Sequence, residues 1–328
     1  MAPMDIQRFT SEDSTSWDAF VEASRNGTFY HTRRFLSSHP NDRFSDHSLL
    51  FFEKGKLVAV LPGALKEDGG VKHFVSHPGS THGGLVLSRD HGAATTYDIV
   101  ATFLTHLREE GMQKASFLRL TPLPCRREAS DDQEYALLQQ GFHLSRMELG
   151  SVVTLSGLME DTILKSFDTE CRNEVRQAER AGVEVRECKE YEAFWPILSA
   201  TLEHRHKVRP THDQSELVHF AKLFPGDVKL FGAFSDGKFI AGIVTVALTE
   251  HAVYVKYMAQ DYEHQKKRPM NLLLTEVMRW CLRTKKTILD LGVSMEEGSP
   301  SGINEGLFAF KEGFGARSVR RQSFTIDL

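Results

Sequence analysis

One block of this sequence occurs twice. Residues 49–65 read LLFFEKGKLVAVLPGAL, and residues 229–248 read KLFGAFSDGKFIAGIVTVAL. Each is an apolar run, a polar pair ending in glycine (Lys54-Gly55, Asp236-Gly237) and a second apolar run. That pattern predicts a β-hairpin. The runs are almost unbroken by polar residues, so the strands are expected inside a sheet covered on both faces. The sequel repeats as well. A helical stretch at 97–110 and a strand at 115–120 follow the first hairpin. A helix at 270–283 and a strand at 287–291 follow the second. Met270, Leu273, Leu274, Val277, Met278 and Cys281 fall at the spacing of one buried helical stripe, and Pro269 precedes it where proline suits a helix start.

Both copies also close alike. Tyr135–Phe142 and Leu307–Phe314 each read as a short helix ended by glycine (Gly141, Gly313), followed by a last strand. Three matched blocks in one order predict two copies of an α/β unit, at 1–156 and 157–328, divided near Ser156-Gly157. The second copy has a leader: a helix over 161–181 ended by Gly182, a strand at 183–186, and helices at 191–206 and 215–223 around the loop Arg209-Pro210-Thr211.

About two-fifths of the 328 residues are apolar and a quarter charged, enough for a core in each half. A formal charge of −4 argues against a surface built wholly to grip nucleic acid. Cys125, Cys171, Cys188 and Cys281 form no C-x-x-C pair, which predicts a reducing, cytoplasmic setting without disulfides or structural zinc. No apolar stretch approaches the length of a membrane-spanning helix. P-loop, nucleophile-elbow and dinucleotide-binding glycine motifs are absent.

Four groups of residues could carry chemistry. Lys311 stands where the first copy has Gln139, among apolar neighbours just before a glycine. It either complements a helix C-terminus with its stem packed or projects into a cleft to stabilise an oxyanion. Lys165, Arg172, Arg176 and Arg180 form a basic comb on the leader helix, the arginines four residues apart. Such a comb fits either an anionic guest such as phosphate or a solvated face balanced by Glu174 and Glu179. Lys266, Lys267 and Arg268 precede a helix start, where phosphate could sit, or they form an exposed turn. In His204-Arg205-His206-Lys207-Val208-Arg209 the histidines lack helical ligand spacing, so no metal is expected there. Arg205 reads as a substrate anchor.

The second half then shows an ordered series: Arg172-Asn173-Glu174-Val175-Arg176, Ala241-Gly242, Asn271-Leu272-Leu273-Leu274, Asp290-Leu291-Gly292 and Phe310-Lys311-x-x-Phe314-Gly315-Ala316. This series resembles the FemAB-like branch of the GNAT acyltransferase superfamily, which includes peptidoglycan-bridge aminoacyltransferases. The resemblance covers most of 160–328 and, more weakly, the first half. It implies an α/β (α+β) fold of two tandem GNAT-like domains, each a mixed, mostly antiparallel sheet flanked by helices. It implies acyl transfer from acyl-CoA or aminoacyl-tRNA to an amine, with Lys311 as the catalytic oxyanion stabiliser next to Phe310. Arg172, Arg176, Arg205, Tyr257 and Asn271 are then the expected substrate-binding residues, and Lys266, Lys267 and Arg268 the phosphate-binding ones. The expected partners are a small amine or nucleotide-linked acceptor and, for an aminoacyl ester donor, tRNA; neither DNA nor a metal is expected. One departure stands out. The glycine-rich pyrophosphate loop of GNAT proteins is replaced by Glu263-His264-Gln265-Lys266-Lys267-Arg268-Pro269. The helical-hairpin insertion with which some cell-wall members hold tRNA is also missing.

Overall fold

Both predicted hairpins turn on two residues of positive φ. Lys54 and Gly55 lie at 51° and 77°, Asp236 and Gly237 at 52° and 75°. This is the primed turn whose twist matches its flanking strands. The turns join Leu49–Glu53 to Lys56–Leu61 and Val228–Ser235 to Lys238–Ala247. The computed structural model describes residues 4–40, 43–206 and 213–328, with only the backbone of 68 and 204–206.

The chain forms two units: Met1–Glu148 with Arg320–Leu328, and Leu149–Val319. In the second unit the strand order runs Glu184–Cys188, Val228–Ser235, Lys238–Ala247, Ala252–Gln260, Ile288–Val293, and then the end of the strand His143–Thr154. Every pairing is antiparallel except Ala252–Gln260 with Ile288–Val293. Those two are parallel because the helix Pro269–Arg283 carries the chain back between them. The predicted stripe on this helix is buried throughout, and it packs with Phe231, Ala241, Ile243, Val253 and Leu289.

The first unit repeats this plan with one break. Where the second hairpin has a single long strand, the first has Lys56–Leu61 and Ala64–Asp68, separated by Pro62-Gly63. Proline cannot donate to a ladder and glycine permits a bend. Lys56–Leu61 therefore pairs with Leu49–Glu53 and Val86–Leu87, while Ala64–Asp68 turns to pair with Val71–Ser76. Gly63 is required there, since a Cβ would stand 2.2 Å from the ring of Phe74. Val71–Ser76 lies parallel to Lys114–Phe117, again across a helix, Ala93–Glu109. Phe74, Phe103, Phe117 and Phe142 form a chain of edge-to-face contacts through this core.

Two sequence expectations are corrected here. The leader helix spans only Thr169–Arg180. Asp168 takes extended backbone and its Oδ1 accepts from Cys171 N at 2.7 Å, capping the helix and ending what precedes it. Lys165 lies upstream in a separate 3-10 turn, Ile163–Ser166, and does not belong to the comb. The closing strands also divide differently from a cut at 156. His143–Thr154 begins in the first unit and ends in the second, and residues 320–328 group with the first, where Phe324–Asp327 pair with Lys114–Phe117.

The first unit buries several imidazoles. Burial lowers His31 and His77 to about 4, and His82, beside Arg321, well below its ordinary value. Between these values and 6.5 the unfolded chain binds more protons than the folded one, so stability rises with pH in that window. Urea unfolding followed at pH 7 and pH 5 is expected to show a lower midpoint at pH 5. An equal or higher midpoint at pH 5 would contradict the buried, neutral assignment.

Candidate active site

Ala252–Gln260 and Ile288–Val293 pair only from Ala252↔Ile288 to Tyr254↔Asp290. Beyond Tyr254 they part, and Gly292, at φ +73°, turns the second strand away. A cleft of about 800 Å³ opens there. One wall is the splayed strands, and another is the helix Tyr191–His206 through Leu198, Thr201 and Leu202. The helix Glu305–Gly313 adds Leu307, Phe310 and Lys311.

That helix starts at Asn304, whose Oδ1 accepts from Leu307 N at 2.9 Å. It is held against the leader by Asp168 N donating to Gly313 O at 3.0 Å. Phe314, fully buried, packs on Phe167 and Phe310. Phe308 and Lys311, three residues apart, are turned inward together. Lys311 is 1% exposed, and its Nζ donates to the carbonyls of Gly292 at 3.1 Å and Val293 at 3.0 Å. The buried Asp290 fixes that turn by accepting from Gly292 N at 2.8 Å. The ammonium is thus positioned by backbone dipoles on a cleft wall. Gln139, its sequence counterpart, is exposed.

The other expected site residues fall into two groups. Tyr257, Asn271, Phe310 and Arg268 line the cleft. Arg172 and Arg176 do not. Arg172 braces its own helix start through Phe167 O and Thr169 Oγ1, and Arg176 is exposed. The face of that helix toward the cleft carries Glu174 instead. Its carboxylate pairs with Arg268 at 3.1 Å and accepts from Asn271 Nδ2 at 2.9 Å. Lys267 donates to Ser235 Oγ and pairs with Asp236, whereas Lys266 is exposed. The segment replacing the glycine loop is a 3-10 helix, Tyr262–Lys267, and Arg268 follows it at φ +53°. The side chains of Arg205 and its two histidine neighbours, and all of Lys207–Arg209, lie outside the described residues.

Sequence reasoning missed the strand Ala252–Gln260, although Val253-Tyr254-Val255 after the polar turn Thr249-Glu250-His251 is a strand signal. With it went Lys256, which lines the cleft with its Nζ 5.4 Å from the Tyr257 ring centroid and 5.6 Å from that of Phe220. Desolvation lowers its pKa to about 8. Between 8 and its ordinary 10.5 the unfolded chain binds more protons, so the partly desolvated charge costs stability at neutral pH and the cost falls as pH rises. Lys256→Met is therefore expected to unfold at higher urea than the parent at pH 7, with the gap narrowing by pH 10. A gap that widens with pH would refute this.

Residues 165–306 match the family described as "Acetyltransferase (GNAT) domain". The second half of this chain contains a GNAT acetyltransferase domain. The fold agrees over the whole length. FemX superposes with a TM-score of 0.76 at 14% identity, covering 99% of this chain and 97% of its own. L-PGS from Bacillus licheniformis gives 0.58 at 11%, covering 95% and 91%. A tandem GNAT protein from the clavulanic acid biosynthesis pathway gives 0.56 at 13%, covering 99% and 98%. No curated protein matches the sequence. The tandem, FemAB-like reading of the repeat is thus the fold observed; the matched residues supply most of the cleft lining, and Leu307, Phe310 and Lys311 follow just beyond their end. Among the described residues no helix is long and apolar enough to cross a membrane.

Proposed function

We propose that the GNAT domain moves an acyl or aminoacyl group onto an amine nitrogen, with Lys311 stabilising the oxyanion. The neutral amine attacks the donor's carbonyl carbon. A C–N bond forms, the carbonyl oxygen becomes anionic, and collapse expels the donor's sulfur or oxygen, which takes up the proton lost by nitrogen. A fixed ammonium beside that oxygen favours the intermediate over the uncharged carbonyl. The observation that carries this reading is the placement of Lys311 Nζ, held by two carbonyls on the wall of a cleft large enough for both substrates. The same placement speaks against a silent binding module.

The donor is either an acyl-CoA thioester or an aminoacyl-tRNA ester. Glu174 favours the ester. Its carboxylate occupies Arg268 and Asn271 at the start of Pro269–Arg283, where a coenzyme A pyrophosphate would need positive charge and free N–H groups. Incubation with an acyl-CoA series and with charged tRNA, each with a mixture of amines, reads the donor from the product's added mass. Charged tRNA is expected to give ribonuclease-sensitive product that falls steeply with salt. Turnover with acyl-CoA, insensitive to ribonuclease, would overturn the ester reading and leave the role of Lys311 intact.

A further inference from the structure

The first unit holds a second cluster of reactive groups. His47 follows the short strand Ser45–Asp46 and is 2% exposed. His106 and Glu110 stand one turn apart at the end of the helix Ala93–Glu109, which Glu110 caps. Glu110 Oε2 lies 2.7 Å from His47 Nε2, and Glu110 Oε1 lies 3.5 Å from His106 Nε2. One ligand atom from each of the three residues can be chosen so that all lie within 4.8 Å of one another. Ligands about 2.0–2.2 Å from a tetrahedral zinc ion stand roughly 3.3–3.6 Å from one another, so small shifts would bring these three round one ion.

The polar atoms themselves supply an independent observation. His47 Nε2, His106 Nε2 and Glu110 Oε2 are all buried, and the two imidazoles have the Glu110 carboxylate as their shared ion-pair partner. Two buried imidazole nitrogens thus share one carboxylate, which leaves them a single acid group between them. The cluster also lies at the negative end of a helix, where a cation is favoured. His47 is seated by an edge-to-face contact with Phe74, at 5.9 Å.

We propose that His47 Nε2, His106 Nε2 and the Glu110 carboxylate form a binding site for a divalent zinc-class ion, with water as the fourth ligand. Two imidazoles and one carboxylate suit a borderline metal better than magnesium or calcium, which prefer oxygen. The side chains of His106 and Glu110 are partly exposed, which leaves a path for the ion. The ion would pin the end of Ala93–Glu109 to the strand edge at His47. No sequence motif announces the site, because its third ligand comes from a distant segment.

The test uses the full chain with any affinity tag removed, stripped with chelator and titrated with zinc chloride by calorimetry. Cobalt(II) reports coordination through its visible absorption. One zinc per chain is expected, a higher Tm with zinc, and a tetrahedral cobalt spectrum. His106→Gln and Glu110→Gln, both at partly exposed positions, are expected to weaken zinc at least ~10-fold while keeping the parent's circular dichroism. The proposal is overturned if the parent binds no stoichiometric zinc, or if the folded double variant binds it as tightly as the parent. Neither readout involves acyl transfer, so the result is independent of the function proposed for the second unit.

Discussion

Lys311→Met lowers kcat for acyl transfer by about 10²–10³, the usual effect of removing one oxyanion donor, while KM changes little. Methionine keeps most of the buried stem, so folding and catalysis can be separated. Lys311→Ala is expected to lose the same kcat and also stability. Both variants strip the Gly292 and Val293 carbonyls of their donor, and alanine alone also removes the stem of a side chain that is 1% exposed. Leaving such groups unsatisfied costs about 1–3 kcal/mol. Steady-state kinetics beside urea melts of both variants decide the matter. A folded Lys311→Met protein with parental kcat would reduce Lys311 to a brace for the turn after Asp290.

The second large effect is expected at Gly242. Gly232 and Gly242 face each other across adjacent strands. A Cβ on Gly242 would stand 2.4 Å from the ring of Phe194 and 3.0 Å from that of Phe239. Phe194 is fully buried and belongs to Tyr191–His206, the helix that supplies Leu198, Thr201 and Leu202 to the cleft. Gly242→Ala is expected to cost roughly 1–3 kcal/mol by overpacking, and Gly242→Val more. The helix can give way only by moving a cleft wall, so KM should rise along with the lost stability. Gly242→Ala with parental melting and parental KM would mean that the ring shifts freely.

How much of the molecule could be read beforehand follows from where each signal resides. Local patterns carried the hairpins, because Lys54-Gly55 and Asp236-Gly237 state their turn type outright. They carried the stripe from Met270 to Cys281 for the same reason. Lys311 stood out as a polar residue in an apolar frame. The arginine comb misled, because spacing shows which residues share a face but not which way the face points. Arg172 and Arg176 share a face, but Glu174 is the residue that reaches the cleft. Lys267 and Arg268 were read as a phosphate site or an exposed turn, and their partners Asp236 and Glu174 are brought to them by the fold. The His47 cluster was invisible for the same reason. Pro62-Gly63 was read as lying within a strand, although both residues argue for the break that separates the two sheets of the first unit.

The exchange of closing strands bears on how the protein is made. The first unit's sheet needs residues 320–328 beside Lys114–Phe117, so it cannot be completed until nearly all of the described chain has left the ribosome. Until then the edge formed by Lys114–Phe117 stays open to any passing strand. A fragment stopped at 156 would keep that edge permanently, and adding a peptide of residues 317–328 in trans should restore its solubility. Gene fusion or splitting at the apparent midpoint of the sequence would sever a folding unit from the strand that completes it.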